Sequence, residues 1–481
     1  MPPQVPRRER SRSSGVSPGE AEKGGHLLGR LICVSNRVMT PQQTNTSGGL
    51  AVALSSALKQ CGGLWMGWSG RISDETQLSV EDGAFTSVTL DMTQAEYDGG
   101  YLGYSNSVLW PVFHNRLDLA RFDPTFFDAY VSFSARMADD IAQRVQPNDT
   151  IWVHDYHFVL LGQQLRARGV ANPIGFFLHI PMPPPEAFLA LPEFRTLGAA
   201  LAAFDLVGLQ TASDVSNAIG CLRRSNGGQL LPSGRISIDG ARFEVTRAPV
   251  TIDAADFAPA GPVVRSATVR RVLGVDRLDY TKGLPQKFRG FARLLERYPH
   301  FRKTTVLAQI AAPTRDSVEV YADIRQELEG ISGAVNGAYG DVDWVPIHYV
   351  NRAVPRKKLG ALYRSAAVGL ITPLRDGMNL TAKEYVASQD PNDPGVLILS
   401  SFAGAAEEME AALLVNPYCV DSIAEALAVA LTMPLSERVA RHRALMAVVG
   451  ARDSQMWASD FVRQLERAAR INRGGPVVSV A

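Results

Sequence analysis

Cysteine is scarce and scattered: Cys33, Cys61, Cys221 and Cys419 form no CxxC or other ligand spacing in 481 residues. That argues against a disulfide framework and against a zinc site, and it fits a reducing cytoplasm. No run of about 18 apolar residues is present, so no membrane-spanning helix is expected. The first 25 residues are rich in Arg, Ser, Pro and Gly and have no apolar segment to serve as a signal-peptide core. They are expected to be a disordered leader. Net charge is nearly absent, with 49 Lys and Arg against 48 Asp and Glu, so neither nucleic acid nor an acidic membrane surface is an expected partner. HExxH and related metal motifs are missing, and no internal repeat is found. With 46% apolar and 20% charged residues, the composition is that of a globular chain too long for one core, and two domains are expected.

Short apolar runs alternate with helical patterns along the whole chain, which predicts an α/β fold of two mostly parallel, doubly wound sheets with ligands at the carboxyl ends of strands. The linker reading of Pro249 to Pro262 divides the chain into a leader (1–25), a first domain (26–255), a second domain (256–450) and a returning C-terminal helix with its tail (451–481). One continuous helical span is predicted from Ser436 to Arg470.

Ala366 to Glu384, AAVGLITPLRDGMNLTAKE, organises the second domain. Val368 to Thr372 reads as a buried strand, Pro373 to Gly377 as a turn, and a helix opens at about Asn379. Gly377 lets a ligand approach the backbone, and the unpaired N–H groups of the first helical turn suit a phosphate or diphosphate. Glu384 lies roughly 7 Å further along the axis at ~1.5 Å per residue, about the span from a diphosphate to a ribose.

Other charged groups also fall at predicted strand ends. Arg37 follows the strand Leu31 to Val34 and precedes Gly48-Gly49, and suits a phosphate. Asp155 ends TIWVHDYH as an exposed carboxylate able to accept a hydroxyl proton. In the same motif His154 and His157 have no third ligand to make a metal site. His179 is fixed by the prolines of IPMPPPE. Arg277 and Lys282 bracket a turn and suit a diphosphate leaving group, and Arg315 ends a further strand. Gly404 and Glu408 are expected beside the nucleotide pocket. Trp68, Tyr101 and Trp110 sit among Gly, Ser, Asn and Pro, predicting loops whose flat rings meet the apolar face of a sugar.

The motifs VSNRV, SGGLAVAL, GLWMGWSG, VLWPVFH, IWVHDYH, IGFFLHIP, RLDYTKGL, ITPLRDGMNLTAKEYVASQD and SSFAGAAEEM, in this order, resemble the trehalose-6-phosphate synthases, retaining glycosyltransferases of family 20. The resemblance implies two Rossmann-like domains facing across a cleft (the GT-B arrangement) and transfer of glucose from a nucleotide diphosphate glucose to glucose 6-phosphate. It implies no metal and no cofactor. Carried over by motif, Arg37, Tyr101, Trp110, Asp155 and Arg315 are expected at the acceptor. Gly49, Trp68, His179, Arg277, Lys282, Asp376, Gly377, Met378, Asn379, Leu380 and Glu384 are expected at the donor. Asp155, His179, Arg277, Lys282 and Asp376 form the expected catalytic group. No carboxylate matches a nucleophile beneath the anomeric carbon, so the implied route is front-face substitution. UDP-glucose is the first expectation for the donor, with GDP and ADP forms also able to use the same contacts. A cytoplasmic homo-oligomer, dimer or tetramer, is expected, with a separate phosphatase to release trehalose. A related transferase with another phosphorylated acceptor, or a non-catalytic sugar-phosphate sensor, are the alternatives.

Overall fold

The computed structural model describes residues 29–38, 54, 55, 58, 63–75, 77–258, 265, 266, 268–314 and 319–473. The leader expected at 1–25 lies outside them. The first lobe is built on β1 (Leu31–Arg37), β2 (Leu64–Ile72), β3 (Leu78–Glu81), β4 (Thr86–Met92), β5 (Thr150–His154), β6 (Ile174–Phe177), β7 (Leu206–Leu209), β8 (Gln229–Leu230), β9 (Ile236–Ile238) and β10 (Ala241–Arg247). Their order in the sheet is β3-β4-β2-β1-β5-β6-β7-β10-β9-β8. Pairing is parallel from β4 through β10 and antiparallel only at the two edges. The second lobe holds β11 (Arg270–Arg277), β12 (Thr305–Ala312), β13 (Ile347–Val350), β14 (Val368–Ile371), β15 (Val396–Ser400) and β16 (Leu413–Val415), in the order β13-β12-β11-β14-β15-β16 and parallel throughout. Central strands such as Ile32-Cys33-Val34 and Ile151-Trp152-Val153 are apolar at successive positions and buried, as a sheet covered on both faces requires. The molecule is thus two Rossmann-like, doubly wound α/β domains facing across a cleft.

Two expectations need correction. The segment around Tyr101 and Trp110 is not loop: Glu96–Leu109 winds as a 14-residue π-helix and runs into a helical turn, Trp110–Phe113. Its glycines serve packing. A Cβ on Gly103 would lie 2.6 Å from the Phe126 ring, and one on Gly99 would lie 2.7 Å from the Ala129 Cβ, because the helix Pro124–Arg144 presses against this face. The predicted span from Ser436 to Arg470 is two helices, Leu435–Val449 and Ser454–Asn472. The second starts where the Asp453 carboxylate accepts from the Met456 N–H at 2.7 Å, an N-cap that satisfies an otherwise unpaired donor. His442 in the first helix reaches the Val386 carbonyl of the second lobe at 3.1 Å. The second helix returns to the first sheet, where Phe461 stacks on Trp152 at 4.6 Å and Trp457 lies 5.0 Å from the same ring.

Polar contacts join the lobes. Glu407 accepts from the N–H groups of Ala212 and Ser213, at 3.0 and 3.3 Å, at the start of the helix Ala212–Asn226. Arg247 approaches Glu407 at 3.6 Å and Glu408 at 3.4 Å. The Lys383 ammonium, buried, donates to the Val250 carbonyl and to Glu408, at 2.9 and 3.0 Å.

Candidate active site

The turn after β14 is built as the sequence predicts. Asn379 adopts φ +80° and caps the helix Leu380–Ala387, its side-chain oxygen accepting from the Ala382 N–H at 3.2 Å. Its amide nitrogen donates to Asp376 Oδ2 at 3.0 Å. Lys282, on the turn after β11, donates to the same oxygen at 2.5 Å. Burial works against the Asp376 carboxylate, but the Lys282 charge and hydrogen bond, the nearby His114 and the Asn379 amide outweigh it and hold its pKa below the ordinary value. Gly377 sits where the lobes meet. A Cβ there would lie 2.0 Å from the His179 carbonyl oxygen, so this close approach needs glycine. The loop after β15 buttresses the turn: Asp376 N–H donates to the Phe402 carbonyl at 3.1 Å, and Ala405 N–H to the Met378 carbonyl at 2.8 Å. Glu384, within the helix Leu380–Ala387, accepts from the Tyr363 hydroxyl at 3.0 Å.

Opposite this turn stand residues of the first lobe. Asp155 follows β5 with φ +72°. It is half-buried rather than exposed, and burial raises its carboxyl to about 6, against the backbone N–H groups of His179, Tyr156 and Ile180 and the Arg277 charge, which all favour ionisation. Arg277, at the end of β11, lies over the Trp110 ring at 5.3 Å, a cation–π contact across the two lobes. His114, fully buried beneath Trp110 at 4.2 Å, is lowered to about 4 by burial. It stands close enough to feel Asp279, Lys282 and Asp376, a role that its place in a run of aromatics did not reveal.

Arg37 forms a second cationic station. Its guanidinium lies 4.1 Å from the Trp68 ring, Trp68 lies 5.1 Å from Tyr101, and Tyr101 stacks with His157 at 5.9 Å. His157 contacts Tyr156 at 4.0 Å, and Tyr156 contacts Trp110 at 5.6 Å. A continuous aromatic wall therefore runs from Arg37 to Arg277, one cation at each end. Tyr101 and Trp110 reach it from helices rather than from the loops expected of them. Trp68, expected in a loop with the donor groups, lies on strand β2 under Arg37 and beside Tyr101, because β2 runs alongside β1 with Trp68 in register with Arg37. Glu408, expected beside the nucleotide, accepts from Lys383 at 3.0 Å and lies 3.4 Å from Arg247. Gly49 and Arg315 lie outside the described residues. Among the described residues, no group of three or more His, Cys, Asp or Glu side chains is placed to hold a metal ion, and no helix is long and apolar enough to cross a membrane.

The family profile described as glycosyltransferase family 20 matches residues 33–467. The chain belongs to this family. Its relatives include a trehalose-6-phosphate synthase of Cronobacter sakazakii, 43% identical over 92% of this chain and 96% of the relative. A Klebsiella pneumoniae trehalose-6-phosphate synthase is 43% identical over 91% and 95%. Among solved structures, this family 20 chain is similar to an α,α-trehalose-phosphate synthase (UDP-forming) from Burkholderia xenovorans in complex with glucose-6-phosphate. The TM-score is 0.87 at 45% identity, covering 91% of this chain and 100% of that one. An Escherichia coli structure bound with UDP-2-fluoro glucose gives a TM-score of 0.87 at 43% identity, over 91% and 99%.

Proposed function

We propose that the chain is an α,α-trehalose-6-phosphate synthase, transferring glucose from UDP-glucose to glucose 6-phosphate with retention. The observation that carries this reading is the wall from Arg37 to Arg277. A phosphorylated hexose at the Arg37 end and a nucleotide diphosphate at the Arg277 and Lys282 end would meet beside Asp155. In this reading Arg37 and Arg315 hold the acceptor phosphate, with Tyr101, Trp110 and Asp155 along the sugar. Arg277, Lys282 and the backbone of Asn379 and Leu380 receive the diphosphate, and Glu384 the ribose. His179 and Asp376, beside the Gly377, Met378 and Asn379 backbone, take the donor glucose, with Gly49 also assigned to the donor side.

Retention needs either a carboxylate nucleophile or departure and attack on one face. Asp376 is held by Lys282 and Asn379, and Asp155 by three backbone N–H groups, so neither is a free nucleophile. The reading is therefore front-face substitution: the diphosphate leaves, the acceptor hydroxyl approaches on the same side, and a leaving oxygen takes its proton. The protein supplies position and fixed cations where charge develops, with no metal. The division into 26–255, 256–450 and a returning 451–481, a cytoplasmic setting, homo-oligomerisation and a separate phosphatase downstream belong to the same proposal.

A nucleotide-release assay with UDP-, GDP- and ADP-glucose against glucose 6-phosphate tests it. UDP release that depends on the phosphorylated acceptor is expected. Release with glycerol 3-phosphate in preference, or ligand binding without any release, would replace it with one of the other readings.

A further inference from the structure

His154 and His179 stack at the carboxyl ends of β5 and β6, their rings 5.3 Å apart and inclined by 24°, with His154 Nδ1 3.1 Å from His179 Nε2. At that distance one nitrogen carries a hydrogen and the other presents a lone pair. His154 is fully buried, with Trp152 at 4.4 Å and Phe177 at 6.4 Å, and its Nε2 meets no hydrogen-bond partner among the described residues. Were His154 to accept at Nδ1, its proton would sit on Nε2 as an orphaned N–H in an apolar wall. Donating from Nδ1 leaves only an unused lone pair there, the lesser cost. His179 then accepts at Nε2 and carries its own proton on Nδ1, which is not among the buried unpartnered atoms and is left for a ligand. Both rings stay neutral, since burial lowers His154 well below its usual value and His179 to about 3.

We propose that His154 is a positioning residue that locks His179 in the Nδ1–H form and in one ring orientation, so that His179 donates to an oxygen of the bound nucleotide sugar. The proposal rests on the donor-site reading of His179 given above. A sugar hydroxyl that gives its proton to a carboxylate such as Asp376 keeps only lone pairs, and those need a donor. The buried neighbour decides which nitrogen supplies it, as partners behind a ligating histidine do in metal sites.

Long-range ¹H–¹⁵N correlation on the full chain with ¹⁵N-histidine reads the tautomer directly, His179 being assigned from His179→Phe. The expected pattern is a protonated Nδ1 and an unprotonated Nε2; the reverse overturns the proposal. His154→Phe, which keeps the ring and removes the donor, should lower kcat about 10–100-fold with the glucose 6-phosphate KM within twofold. It should also release His179 into mixed tautomers. His154→Asn, whose amide can stand where Nδ1–H stood, should recover most of the turnover. Turnover at the parent level in His154→Phe overturns the proposal. A His179→Phe variant with undiminished turnover would instead overturn the donor-site reading of His179. Its loss of activity, together with the reversed tautomer, would leave that reading standing and remove the His154 proposal alone.

Discussion

Lys282 makes the electrostatic case at the level of single residues. Its ammonium is held by Asp376 at 2.5 Å, so in the proposed reaction the cation is already fixed near where the charge of the departing diphosphate would develop. Lys282→Ala should lower kcat at saturating donor by about 10²-fold or more, and steady-state turnover within threefold of the parent would exclude that role. Asp155 gives a pH signature. Its carboxyl is raised to about 6 by burial, whereas an unfolded aspartate titrates near pH 3.9. Between about pH 4 and 6 the folded state therefore keeps a proton that the unfolded chain releases, and stability from this group falls as pH rises through that window. Asp155→Asn should accordingly be more stable than the parent at pH 8, with the difference closing near pH 4, as thermal melts at the two pH values would show. Catalytically, kcat/KM should have an acid limb near pH 6 that Asp155→Asn abolishes along with most activity. Most of these groups were legible because chemistry and position coincide: a cation or carboxylate directly after an apolar run. His154 was not, because only the ring stacked on it and the orphaned Nε2 distinguish it from an ordinary core histidine.

Secondary-structure elements were legible where burial on both faces makes a strand a continuous apolar run, as in Val396–Ser400 or Leu206–Leu209. The same rule fails for β3, whose Leu78 and Val80 lie exposed on an edge. It fails again for Glu96–Leu109, where Gly, Ser and Asn obey no 3.6-residue period. There the determinant is tertiary: the helix Pro124–Arg144 approaches so closely that side chains are excluded at Gly99 and Gly103. Gly103→Ala should cost about 1–3 kcal/mol as an overpacked contact, read by urea denaturation, and should shift Tyr101 in the acceptor wall. An unchanged midpoint would show that this face is loosely packed. The break between Leu435–Val449 and Ser454–Asn472 was likewise hidden, because both halves are strongly helical. Asp253 decides it by accepting from the Ser454 N–H and hydroxyl at 2.8 to 2.9 Å, which ties the turn to the interlobe linker.

Across the whole molecule, function depends on how two independently wound sheets are set against each other. Sequence pattern fixes each sheet but not their mutual placement, since the contacts that join them, Glu407 at a helix start and Gly377 against the His179 carbonyl, involve residues with no periodic signature. Glu407→Ala removes the acceptor for two N–H groups and a partner of Arg247. It should enlarge the radius of gyration of the ligand-free protein in small-angle X-ray scattering and raise both substrate KM values more than it lowers kcat; an unchanged radius and unchanged KM values would confine Glu407 to local capping. In the proposed reaction one cleft joins two sugars through their anomeric carbons with the 6-phosphate untouched. The direct measurement is the NMR spectrum of the product formed from UDP-glucose and glucose 6-phosphate. Two α-anomeric signals with phosphorus coupled to one C6 methylene are predicted, and a β-linked product, or UDP released with only free glucose, would contradict it.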